Sequence, residues 1–156
     1  MKKTLKIVGI VVVAALVIAQ VFRPDRENPA ETTSQTLEAT LPVPPAVKAI
    51  LDGSCKDCHS NRTQWPWYSA VAPASWLVAS DVREGREHLN FSEWGTYKRG
   101  RMIARLDGIV SEVDKGEMPL SQYLLIHPDA KISQEQKAVL CSWAEQMSDS
   151  LGSLDK

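Results

Sequence analysis

Cys55-Lys56-Asp57-Cys58-His59 is the stretch on which the reading of this chain turns. Two thiols three residues apart on a helical turn can both reach the vinyl groups along one edge of a porphyrin. The adjacent His59 is then carried under the macrocycle, where its imidazole can bind the iron. C-x-x-C-H is the attachment signature of a c-type haem. It makes Cys55 and Cys58 the covalent thioether residues and His59 the proximal iron ligand. Three other readings of the pair fit less well. A Cys55–Cys58 disulfide would suit an oxidising compartment. A structural zinc needs four ligands, and His88, His127 and Cys141 lack the tight spacing of a second pair. A thioredoxin-like site needs a βαβ context, and no convincing strand surrounds the motif.

A sixth iron ligand is sought outward from the motif. Met118 lies in Gly116-Glu117-Met118-Pro119, a polar, proline-punctuated loop off any apolar stripe, and is the expected distal ligand. His127 is the alternative and would give bis-His iron; an open site is the other. His88 sits among Arg83, Glu84, Arg86 and Glu87 and reads as solvated. Met102 and Met147 fall on apolar helical faces and read as core. His/Met ligation raises the reduction potential relative to bis-His and blocks small ligands. Trp65, Trp67, Tyr68 and Trp76 cluster shortly after His59. Arg62 and the indole N–H groups of Trp65 and Trp67 are expected to hold haem propionates, with the rings covering the macrocycle. Cys141, beside Leu140 and Trp143, reads as a buried, inert thiol.

The rest of the chain arranges itself around these residues. A helix is expected from Pro45 through Val47, Ile50 and Leu51, because proline is favoured in a first turn. A second follows Ser75, with Trp76, Leu77, Val78 and Val82. Asn90 and Glu93 suggest a capping box for a third, carrying Tyr97, Met102, Ile103, Leu106, Ile109, Val110 and Val113, and Gly116 ends it. Ser133, with Gln136 three residues on, caps a last helix that buries Val139, Leu140, Trp143 and Met147. The pattern predicts an all-α domain of about four helices joined by two long loops. Loops of that length need something to organise them.

The N-terminus reads differently. Lys2, Lys3 and Lys6 precede an apolar run from Ile7 to Ala19, and no acidic residue appears before Asp25. A basic flank before an apolar core predicts a signal anchor, or a cleaved signal peptide, over residues 1–22. The expected localisation is a bacterial inner membrane, with one N-terminal anchor and the haem domain in the periplasm. Residues 23–43, rich in Pro, Thr, Glu, Ser and Asn, read as a flexible linker, and residues 44–156 as the haem-binding domain.

Composition sets the outer bounds. The chain has 156 residues, 44% hydrophobic and 24% charged, with a formal net charge of -1. This excludes a disordered chain, a multi-pass membrane protein and the basic footprint of a nucleic-acid binder. All 19 acidic residues lie beyond residue 22, which leaves that portion mildly acidic. There are 5 Trp against 2 Phe and 3 Tyr, an excess that suits a core lined around a large flat cofactor.

With these residues in place, the chain resembles the bacterial haem-binding-domain family of cytochrome c-like, exported proteins. The stretches that carry the resemblance are Cys55–Asn61, Trp65–Ser69, Ala72–Leu77, Gly85–Ser92, Gly116–Leu120 and Tyr123–Pro128. The resemblance implies one covalently attached haem c in a cytochrome c-like fold, with Met118 of the Met–Pro loop as distal ligand. The function expected is one-electron transfer with redox partner proteins, rather than catalysis. A small haem peroxidase, with His127 as acid/base residue, and a haem-based sensor are the competing readings.

Overall fold

The computed structural model describes residues 1–153, and among these it is helical without strands. The helix α1 (Lys2–Ala19) is followed by the single turn α2 (Leu37–Thr40). Next come α3 (Pro45–Ser54), the one-turn α4 (Lys56–His59) and α5 (Ala74–His88). The remainder is α6 (Arg99–Lys115), the short α7 (Ser121–Leu124) and α8 (Gln134–Ser153).

Local signals set several of these ends. Pro45 opens α3, where its missing N–H costs nothing. Gly116 closes α6 at φ 74°, a left-handed conformation that glycine adopts without steric penalty. The Ser133/Gln136 box forms as expected: Ser133 N donates to Gln136 Oε1 at 2.8 Å, and Gln136 N to Ser133 Oγ at 3.2 Å. Asn90 also caps, accepting from Ser92 N at 3.0 Å, but the turn it opens is 3₁₀, Phe91–Thr96. Helix α6 starts only at Arg99, so Tyr97 lies before it.

The core is assembled from well-separated parts of the chain. Helices α6 and α8 pack along each other, and α3 packs against α8. Leu106, Ile109 and Val113 meet Leu140, Trp143 and Ala144, with Val47, Ile50 and Leu51 from α3 and Phe91, Trp94 and Tyr97 closing the cluster. Trp143 Nε1 donates to the Pro42 carbonyl at 3.0 Å, which ties α8 to the segment before α3.

The N-terminal expectation is corrected. Among the described residues no helix is long and apolar enough to cross a membrane. The 18 residues of α1 reach about 27 Å at 1.5 Å per residue, short of a hydrocarbon core about 30 Å thick, and Lys2, Lys3 and Lys6 lie within them. Past Ala19 the helix ends. The Gln20 side chain pairs with both Ala72 N (3.0 Å) and Ala72 O (3.1 Å), and Trp76 Nε1 donates to Phe22 O at 2.6 Å. The membrane helix over residues 1–22 is therefore not supported. The inner-membrane anchor, and the periplasmic placement that rested on it, are withdrawn with it.

Residues 23–43 make side-chain contacts with the rest of the chain. Asn28 Nδ2 donates to Thr63 O at 2.9 Å, Arg26 to Ser69 Oγ at 3.1 Å, and Glu31 binds Arg62 and Ser92. Leu37 is 0% exposed and belongs to the core. A one-turn helix is too short to show a hydrophobic period, which is why composition read it as linker.

Leu37→Ala tests that placement. A fully buried leucine truncated in a packed core costs about 2–5 kcal/mol. Urea unfolding of the full chain should show a loss in that range, whereas a linker residue would give almost none.

Candidate functional site

The site begins with a turn. Cys58 N and His59 N both donate to the Cys55 carbonyl, at 3.2 and 3.0 Å, so the two cysteines and the histidine share one helical turn. Cys55, Cys58 and His59 all line the same cavity, of about 580 Å³. That volume is within the range of small-molecule and cofactor sites.

His59 is held by the end of α5. Its Nδ1–H donates to the carbonyls of Gly85 (2.9 Å) and Leu89 (3.0 Å). Gly85 O also accepts from the backbone N–H of Leu89, the residue that caps α5, at 2.9 Å, and the negative end of the helix dipole suits the imidazole as a second donor. Since both partners are acceptors, Nδ1 carries the proton and Nε2 keeps the lone pair. Burial holds the imidazole below its ordinary pKa; the two carbonyl bonds oppose this, and nearby His88 adds to it. The ring is thus neutral near pH 7, the form that binds a metal.

Gly85 makes this approach possible. A Cβ there would lie 2.7 Å from the Cys58 carbonyl oxygen and 3.1 Å from its carbon. Helix α5 therefore packs backbone to backbone on α4. A buried polar network fixes the next segment. Asn90 Nδ2 donates to Asn61 Oδ1 (2.8 Å), Asn61 N to Ser92 Oγ (2.9 Å), and Asn90 N to the Tyr97 hydroxyl (2.8 Å). The Phe91 ring meets the His59 ring edge-on at 6.3 Å.

Both cysteines are free thiols. Burial, with the neighbouring Cys58, pushes Cys55 up to about 12, and burial with Asp81 and Asp57 pushes Cys58 up to about 11. They are protonated near neutral pH, unlike the exposed thiolates of redox-exchange sites. Among the described residues no group of three or more His, Cys, Asp and Glu is placed to hold a metal ion, so a zinc held by this pair would lack its remaining ligands.

Met118 also lines the cavity and packs against the core. The left-handed Gly116 turns the chain back on α6: Glu117 N and Met118 N both donate to the Glu112 carbonyl, at 2.9 and 3.2 Å. The Met118–Pro119 bond is cis. Tyr123, from α7, lines the cavity too and donates to Asp57 Oδ2 at 3.0 Å. Asp57 lies between the two cysteines, so this bond ties the loop after Met118 to the C-x-x-C turn. It supplies part of the organisation that the second long loop requires.

Other expected site residues lie elsewhere. His127 is not on the cavity wall; it stacks on Tyr123 (4.3 Å between centroids, 19° between planes) and its Nε2 is hydrogen-bonded to the Tyr68 hydroxyl. Arg62, Trp65 and Trp67 do not line the cavity either. Arg62 pairs with Glu31, Trp65 Nε1 donates to Asn28 Oδ1 at 3.2 Å, and Trp67 is 80% exposed. Cys141 is half-buried on α8 against the core, and burial raises its thiol pKa.

Sequence reasoning missed several wall residues. His88 is exposed but lies on the rim. Asp81, Glu84 and Glu112 add carboxylates to that of Asp57, and burial, with the charge of Glu84, raises the Asp81 pKa. Arg105 and Gly108 form part of the α6 wall. Their signal was faint: both sit beside the apolar stripe of α6, four and one residues before Ile109.

The sequence matches the haem-binding domain family over residues 14–146. The chain belongs to that family. No match was found among curated proteins or among solved structures. The cavity suits the group the family binds. It offers a neutral imidazole whose Nδ1 is already committed, a thioether, a long apolar wall and a buried Arg105 Nε without a hydrogen-bond partner. This is a haem-binding protein, and the cavity at Cys55–His59 is its candidate haem site.

Gly85→Ala should disturb this site through the backbone. The added methyl forces α5 off α4 and lengthens the His59 bonds. The expected cost is about 1–3 kcal/mol in urea unfolding, together with weakened haem binding in a Soret titration. An unchanged haem affinity would show that the close α4–α5 contact does not govern His59.

Proposed function

We propose that the chain is a monohaem c-type electron-transfer protein. The observation that carries this reading is the shared cavity wall of Cys55, Cys58, His59 and Met118, with His59 Nδ1 bound to the carbonyls of Gly85 and Leu89. In this reading Cys55 and Cys58 form the thioethers, His59 Nε2 is the proximal ligand and Met118 Sδ the distal one. A haem held this way would supply a single iron that cycles by one electron.

The protein's own groups set the conditions for that exchange. The carbonyl bonds to Nδ1 fix the ring orientation of His59 and make Nε2 a better donor to iron. The wall from Leu51, Leu89, Ile109 and Val113 keeps water from the macrocycle face and so influences the potential. Asp57, Asp81, Glu84 and Glu112 make the surroundings acidic, which favours a redox partner presenting a basic docking face. The competing peroxidase reading loses support from His127, its proposed acid/base residue, which lies behind Tyr123 and is bound to Tyr68.

Covalent attachment is tested by co-expression with a cytochrome c maturation system, followed by acid-acetone extraction. Haem should stay with the protein, and should become extractable or be lost in Cys55→Ala/Cys58→Ala. Complete extraction from the unaltered chain would overturn the c-type assignment.

Distal ligation is read separately. Met118→Ala should convert a six-coordinate reduced haem that ignores carbon monoxide into one that binds it. If the unaltered protein already binds carbon monoxide, a gas-sensing or catalytic role replaces electron transfer.

A further inference from the structure

The haem site presents an electrostatic problem. Haem carries two propionates, and four carboxylates already line the cavity, those of Asp57, Asp81, Glu84 and Glu112. A dianion brought among them is repelled unless a cation receives it. Among the described residues, Arg105 is the one lysine or arginine on the cavity wall.

Two further observations single out Arg105. Its Nε is buried and makes no hydrogen bond, although a guanidinium N–H sealed from water without a partner is costly. No ion pair of Arg105 is formed among the described residues either, so the carboxylate Glu112, two turns along the same wall, does not satisfy it. Beside it on the next turn of α6 is Gly108, where a Cβ would meet nothing within 4 Å. The wall next to Arg105 is therefore open, with room for a flexible carboxylate chain to approach.

From the unsatisfied guanidinium and the open wall beside it, we propose that Arg105 is the residue that binds a haem propionate. This gives the porphyrin an orientation. Its vinyl edge lies along α4 at Cys55 and Cys58, and a propionate turns toward α6. The assignment replaces Arg62, Trp65 and Trp67, whose polar groups are engaged with Glu31 and Asn28 or stand in solvent. It builds on the haem site described above, but it does not require that the haem be covalently attached.

The test uses the full apo chain and two non-covalent probes. Mesohaem has ethyl groups in place of vinyls and cannot form thioethers. Mesohaem dimethyl ester has the same ring with uncharged propionates. Each is titrated by Soret absorbance into the unaltered chain, Arg105→Leu and Arg105→Lys, with circular dichroism as the check on folding. Arg105→Leu should weaken mesohaem binding about tenfold and leave the ester unchanged, as expected for loss of one charge-assisted hydrogen bond. Arg105→Lys should recover part of the loss. If Arg105→Leu weakens both probes equally, Arg105 is only a wall residue and the proposal fails; if it weakens neither, the propionates are held elsewhere. Failure of covalent attachment is seen in the extraction experiment and leaves this comparison intact.

Discussion

The candidate haem site rests on one contact, the Nδ1–H of His59 against the carbonyls of Gly85 and Leu89 at the C-terminal end of α5. A histidine that follows a C-x-x-C turn is free to rotate unless something takes one of its nitrogens. Here the C-terminal end of a helix does so, and it can only because Gly85 lets that helix settle on the Cys58 backbone. Leu89, whose carbonyl is the second acceptor, is held in turn by the neighbouring Asn90, Asn61 and Ser92 network. The small and polar residues of these segments thus serve a single orientation.

Around that contact the fold brings together chemistry from distant segments. The α4 turn supplies the thiols and imidazole, the α6 C-terminus turns Met118 toward the core, and Tyr123 fastens the following loop to Asp57. The wall is apolar but ringed by carboxylates, so a bound porphyrin has few orientations that keep its own acids away from them.

Much of this was legible in local sequence. Pro45, Gly116 and the Ser133/Gln136 pair mark helix ends because each acts within a turn of its own position. The C-x-x-C-H turn is equally local. The aromatic cluster was misleading for a clear reason. Trp65 and Trp67 are close to His59 along the chain, but Trp65 turns to Asn28 and Trp67, which opens the 3₁₀ turn Trp67–Ala70, stands in solvent. Leu37, isolated in a polar stretch, gave no period and still fills the core. The N-terminal run had the composition of an export signal, but a spanning helix is decided by uninterrupted apolar length, which α1 lacks.

By itself the sequence determined an all-helical chain with a C-x-x-C-H turn and a methionine in a turn-forming loop. Spacing along the backbone is enough for each of these. Only the tertiary structure decided which nitrogen of His59 is committed, that Met118 joins the cavity and His127 does not, and that Arg105 is the cation on its wall. Those depend on which helix faces meet, and residues such as Gly85 and Cys58, or Tyr123 and Asp57, become partners only when the packed core brings distant segments within hydrogen-bonding distance.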